Sequence, residues 1–228
     1  MKHQFFDRPD YGMLCIVFEE AGESLVVESG AMVARDTEIE MQTQIKGGLF
    51  QAAKRKLFGG ESLFLNTFTA THAGQRLFLA PSPEGDVEAM DIQSGQDLIL
   101  QSGAYVASEP SVRLDTQWAG FKGFFSGEGL FFLRAEGTGR VFINSYGGIH
   151  PIHLDGSSPY ILDTSHIVAF TSGLDFRIRK IGGLKSLFLS GEGLICEFRG
   201  HGTLWAQTRN AGALAAFLHP FRPVQSRD

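Results

Sequence analysis

Apolar and polar residues alternate with a period of two in three separated stretches. Ile39, Met41, Thr43 and Ile45 alternate with Glu38, Glu40, Gln42 and Gln44. Val112, Leu114, Thr116 and Trp118 alternate with Arg113, Asp115 and Gln117, and Leu174, Phe176 and Ile178 with Asp175, Arg177 and Arg179. Successive strand side chains point to opposite faces, so each stretch predicts a β-strand with one packed and one wet face. Ahead of each runs a related string: Val27 to Ala34, Leu100 to Ala107 and Leu162 to Ala169. All three share an apolar residue, a hydroxyl two positions later (Ser29, Ser102, Thr164) and a hydrophobic-Val-Ala exit. The frame then holds for 18 residues in every copy, from Ser29 to Gly47, Ser102 to Gly120 and Thr164 to Gly182. A register kept through three copies points to one supersecondary unit repeated in tandem.

After each glycine comes a loop of variable length, then a glutamate at a glycine turn (Glu61, Glu128, Glu192) and another apolar strand. Further strands are expected near 75–80, 140–146 and 202–207. Helix is scarce. Residues 49–58 carry good helix formers, and Ala213 to Leu218 predicts a short helix stopped before Pro220. The turn-rich connectors at 81–86 and 155–159 are too short to be interdomain linkers. The reading is one all-β domain over 1–228, with internal repeats at about 11–92, 93–156 and 157–210 and a C-terminal tail at 211–228.

Composition narrows the function classes. A 43% hydrophobic content supports a sizeable core, and the formal net charge of −5 argues against a dedicated nucleic-acid binder. Phe is abundant, at 20 copies against 4 Tyr, and several of these rings sit beside glycines in expected loops. Cys15 and Cys196 define no disulfide framework. The N-terminus has no apolar signal region, and no apolar run approaches the ~18 residues of a membrane span. A cytoplasmic location is expected, with peripheral association to a membrane as a variant of it.

The run from Glu23 to Ala70, the segment from Gly120 to Leu133 and the string Asp163 to Phe170 together resemble a known family. They look like the bacterial members of the family that includes the mitochondrial "altered inheritance of mitochondria" biogenesis protein, over roughly residues 11–210. The resemblance implies a fold like that of the tryptophan RNA-binding attenuation protein. That is three tandem β-sandwich repeats of the double-stranded β-helix class, with approximate internal threefold symmetry. It also implies a ring-like homo-oligomer, with a trimer as one form, and it implies no reaction. The mitochondrial relatives are associated with inner-membrane organisation, which suggests a scaffold.

The three loops after the alternating strands are the candidate binding elements. The first holds Lys46, Leu49, Phe50, Lys54, Arg55, Lys56 and Phe58; the second Phe121, Lys122, Phe124 and Phe125; the third Leu184, Lys185 and Phe188. Each combines glycine, lysine and apolar side chains, with no acid before its closing glutamate. Under internal threefold symmetry all three leave one pole, giving an acidic protein a basic, aromatic crown suited to an anionic membrane or an apolar partner groove. The plainer expectation is that they pack on a neighbouring subunit or on their own core. No phosphate-loop pattern is present, and only Lys54, Arg55 and Lys56 offer a basic cluster.

Catalytic and metal readings are weaker. A spacing of three puts His150 and His153 on opposite faces of a regular strand. The remaining histidines (His3, His72, His166, His201, His219) show no ligand spacing. His166 is expected to be a hydrogen-bonded structural residue. Glu61, Glu128 and Glu192 occupy matching positions of different copies, too dispersed for acid–base work on one substrate. Ser29, Ser102 and Thr164 read as turn-formers. No catalytic residue, metal or cofactor is assigned. The expected function is a non-enzymatic oligomeric scaffold; the alternative is a cupin-like small-molecule or metal-binding enzyme.

Overall fold

The computed structural model describes residues 1–44, 65–118, 131–180 and 194–222, and most of them lie in β-strands. β1 (Lys2–Phe6) precedes three groups of six strands. The first group is β2 (Met13–Val17), β3 (Ser24–Glu28), β4 (Met32–Arg35), β5 (Glu40–Gln44), β6 (Leu65–Thr69) and β7 (Arg76–Leu79). The second is β8 (Val87–Ile92), β9 (Leu98–Gln101), β10 (Tyr105–Ser108), β11 (Val112–Trp118), β12 (Phe131–Gly137) and β13 (Gly139–Asn144). The third is β14 (Ile149–Asp155), β15 (Tyr160–Asp163), β16 (Ile167–Thr171), β17 (Asp175–Lys180), β18 (Leu194–Arg199) and β19 (His201–Gln207).

One antiparallel pairing scheme runs through all three groups. The first strand pairs with the sixth, the second with the fifth, the third with the sixth and the fourth with the fifth. Registers correspond as well: Ala34, Ala107 and Ala169 oppose Phe78, Phe142 and Trp205. Each third strand slips register at the residue before that alanine, leaving Val33, Val106 and Val168 as the extra residue of a bulge. Sequence spacing placed 87–92 and 149–155 at the ends of the preceding repeats. Their hydrogen bonds run forward instead, β8 to β13 and β14 to β19.

The groups are not separate bodies, because both six-stranded sheets draw strands from two of them. The orders are β1-β2-β7-β4, β5-β6-β3-β10-β13-β8, β11-β12-β9-β16-β19-β14 and β15-β18-β17. Both six-stranded sheets join the fourth, fifth and second strands of one group to the third, sixth and first of the next. The joints are β3 with β10 and β9 with β16.

The core follows the same sharing. One buried cluster puts Val106, Ala107 and Phe142 among Leu14, Ile16, Leu25 and Phe68 of the first group. Another brings Leu65, Val168 and Ala169 to the second group's Leu100, Tyr105 and Ile143. A third sets Ile99 and Phe132 against Phe170, Cys196 and Phe198. There Phe132, Phe170, Phe176 and Phe198 meet largely edge to face, with centroids 5.0–5.5 Å apart in the closest pairs. Such pairs add about 0.5–1.5 kcal/mol each beyond area burial.

The alternating runs form strands as the pattern predicts, but their faces are less polarised than expected. Ile39, Val112 and Leu174 are buried at the start of each run, whereas Met41 is exposed. β5 is an edge strand, with only β6 beside it. The terminal helix α1 (Ala211–Leu218) begins two residues early because the Asn210 side chain accepts from the Ala213 N–H. A 3-10 turn at His219–Phe221 follows, with Pro220 in its first turn.

Candidate functional site

The three candidate loops leave equivalent hairpins. β5 and β6 close on the pair Gln44–Leu65, β11 and β12 on Trp118–Phe131, and β17 and β18 on Lys180–Leu194. The connecting segments 45–64, 119–130 and 181–193 lie outside the described residues. So do all the candidate binding residues in them: Lys46, Leu49, Phe50, Lys54, Arg55, Lys56, Phe58, Phe121, Lys122, Phe124, Phe125, Leu184, Lys185 and Phe188. Glu61, Glu128 and Glu192, and the helix expected at 49–58, fall there too. What the structure provides is their anchorage, on hairpins of matching place and register.

One of those hairpins is stapled by charge. Glu197 on β18 is buried, and it pairs with Arg179 of β17 and with Arg199 at 2.7 Å. A buried carboxylate is costly unless paired, so this triad keeps the third hairpin in register. In the second group Arg134 on β12 holds Asp97 at 2.5 Å and Glu136 at 3.2 Å.

The turn-forming hydroxyls behave as expected. Ser102–Ala104 and Thr164–His166 form 3-10 turns. The Thr164 hydroxyl donates to the Leu194 carbonyl at 3.1 Å, and the Asp163 carboxylate accepts the Ser165 N–H at 2.8 Å. His166 is structural: its Nδ1 lies 2.7 Å from the Gln207 carbonyl. His150 and His153 are exposed on β14, and His153 Nδ1 meets the Thr203 hydroxyl at 3.0 Å. Among the described residues, no group of three or more His, Cys, Asp or Glu is placed to hold a metal ion. Cys15 and Cys196 are free and buried. Burial pushes the Cys196 thiol up to about 12 and raises that of Cys15, which makes both poor nucleophiles.

A small cleft at the joint of the first two groups is lined by Met1, Lys2, His3, Ile16, Glu109, Arg140 and Phe142. Its polar groups are already engaged. Arg140 donates to Asp91 at 2.7 Å and lies 3.1 Å from His3 Nδ1, and the N-terminal amine pairs with Glu23 at 2.7 Å. His3 also sits edge-on to Phe5 and Phe142. Burial, and then the Arg140 charge, hold its pKa below the ordinary imidazole value.

Two surfaces escape a reading of the chain alone. β4 and β15 are edge strands, and both are apolar: Met32 is 41% exposed, Val33 56%, Tyr160 38% and Ile161 53%. The helix α1, tied to the turn after β15 by Asn210 Nδ2 donating to Ser165 Oγ at 2.7 Å, exposes Leu214, Phe217 and Leu218, and the 3-10 turn after it exposes Phe221. The sequence marks β4 and β15 as core-like, because their counterparts in sister copies are apolar too. Exposure is decided by position in the sheet.

Antiparallel sheets shared between successive strand groups, with exposed apolar residues on two edge strands, define a nearly all-β protein. The chain belongs to the mitochondrial biogenesis AIM24 family, whose model matches residues 5–209. It is similar to an uncharacterised protein of Streptococcus pyogenes serotype M6, with 33% identity over 216 residues, covering 91% of this chain and 86% of that one. It is also similar to a crystal structure of a Streptococcus pyogenes protein, with a TM-score of 0.80 and 28% identity, covering 97% of this chain and 99% of that one. No helix among the described residues is long and apolar enough to cross a membrane.

Proposed function

We propose that the protein is a non-enzymatic oligomeric scaffold that presents its three Gly/Lys/Phe loops to an anionic membrane surface or a protein partner. The observation that carries this reading is the common anchorage of the loops. Each springs from the fourth and fifth strands of its group, closed in the same register. On this reading the three strand groups are tandem β-sandwich repeats of the double-stranded β-helix class, related by an approximate internal symmetry, and the loops leave one side together. Lysines next to phenylalanines suit a surface that offers negative charge above an apolar layer, where each cation adds attraction and each ring adds buried area.

The test replaces Phe121, Phe124 and Phe125 together by Ser. The expected result is an unchanged far-ultraviolet dichroism spectrum and loss of co-sedimentation with vesicles containing anionic lipid, or loss of a partner captured by the parent protein. Binding equal to the parent in both assays overturns the proposal.

A further inference from the structure

Inside the chain, one group is joined to the next by a single kind of contact. The third strand of the later group lies antiparallel to the second strand of the earlier one, as β10 lies on β3 and β16 on β9. Three groups offer three such second strands and three such third strands, but only two joints form. The strands left over are β4, third in the first group, and β15, second in the third group. Both stand at sheet edges.

The side chains record the same deficit. At matching positions of the third strands, Tyr105, Val106, Ile167 and Val168 are at most 2% exposed, while Met32 and Val33 are 41% and 56% exposed. In the second strands, Leu98, Ile99 and Leu100 are buried, while Tyr160 and Ile161 of β15 are exposed at 38% and 53%. Apolar character has been kept at both ends of the chain where burial has been lost. Four other edge strands carry protective features. β14 carries Pro151, which has no N–H to offer, and β5, β11 and β17 carry Glu40, Arg113, Asp115, Arg177 and Arg179. β4 and β15 carry a charge only at their last residue, Arg35 and Asp163, and are otherwise apolar like the interior strands.

We propose that β15 of one copy pairs antiparallel with β4 of a second copy, forming a continuous sheet in the order β17-β18-β15-β4-β7-β2-β1. This rests on the oligomeric part of the scaffold reading and specifies its interface. The internal joints set the register. Ala107 faces Val27 and Ala169 faces Leu100; Ser108 faces Val26 and Phe170 faces Ile99; Thr171 faces Leu98. Carried over, Ala34 of one copy faces Leu162 of the other, Arg35 faces Ile161, and Asp36 faces Tyr160. The contact is head-to-tail, so it closes into a ring or runs on as a filament according to the rotation per copy. Either way it continues the joint already used twice within each chain.

The test uses Val33→Asp and Ile161→Asp in the full-length chain. Both residues are more than half exposed in a single copy, so each variant is expected to keep the parent's dichroism spectrum. By native mass spectrometry the parent is expected at a multiple of 24.9 kDa and each variant at 24.9 kDa. Mixed in equal amounts, the two variants are expected to form a heterodimer and nothing larger. The Val33→Asp copy still offers an intact β15, and the Ile161→Asp copy an intact β4. Independently of those variants, Arg35→Cys combined with Ile161→Cys is expected to give disulfide-linked chains, since directly opposed strand residues lie about 4.5–5.5 Å apart at Cβ. The native cysteines, both buried, do not compete. A parent oligomer that both Asp variants leave intact overturns this interface but spares the scaffold reading, and points to another face such as α1. A parent that is a monomer at micromolar concentration overturns both.

Discussion

The two joints inside the chain and the two half-sheets at its ends are made of equivalent strands, yet they differ in every physical respect that depends on a neighbour. At the β3–β10 joint the Tyr105 hydroxyl donates to the Val26 carbonyl at 3.0 Å and meets Ser108 Oγ at 3.0 Å, and the ring is fully buried. Its counterpart in the first group is Met32, on a strand with no neighbour on its outer side. Val106 and Val168 are packed; Val33 is not. Strand identity therefore does not decide burial here. What decides it is whether the sheet continues, which explains why an apolar residue costs little at an open edge and becomes indispensable at a closed one.

The strongest way to sharpen that contrast is to place one substitution on both sides of it. Val106→Asp buries an unpaired carboxylate between two groups and is expected to prevent folding, since such a group costs several kcal/mol. Val33→Asp is expected to change the thermal stability of the isolated copy by about 0.5 kcal/mol or less, as surface substitutions do. Thermal melts followed by dichroism separate the two; equal losses would mean that the edge is packed after all.

A smaller effect is expected from truncation. Leu100→Ala removes a fully buried side chain at the β9–β16 joint, for about 2–5 kcal/mol. Leu162→Ala, on the open strand, is expected to cost about 1 kcal/mol in the monomer. Urea midpoints at matched slope measure both, and a Leu162→Ala loss as large as that of Leu100→Ala would remove the distinction between the strands.

The smallest effect concerns His3 on β1, whose ring lies against Arg140 and Phe142 of the second group. His3 is held below its ordinary pKa by burial and by Arg140. The unfolded chain therefore takes up this proton more readily. His3 adds stability that is fully present above its unfolded value, near 6.5, and lost as the pH falls through the lower native value. His3→Gln is expected to flatten the stability profile in that window, seen as a smaller drop in melting temperature between about pH 7 and pH 5. A steeper drop in the variant would reverse the assignment.

Local pattern made much of the fold legible. The alternations at 38–45, 112–118 and 174–179 correspond to β5, β11 and β17, and strands also occur close to the predicted 75–80, 140–146 and 202–207. The turn roles of Ser102 and Thr164 and the structural role of His166 were also readable, since a hydroxyl or imidazole beside a turn has few competing uses. Group boundaries were harder. Residues 87–92 and 149–155 form strands whose partners lie about fifty residues on, and no local signal announces that pairing.

By itself, then, the sequence determined strand periodicity, the common register of three copies, the turn chemistry and the composition of the loops, all of which depend on neighbours within a few positions. Tertiary structure alone decided that sheets are shared between groups, that Met41 lies open on an edge, and that β4 and β15 lack the partners their counterparts have. The physical reason is that a strand's side-chain pattern says which face is apolar, while its hydrogen-bonding edges carry the same N–H and C=O groups whatever the residues. Only the assembled sheet shows which edges are filled.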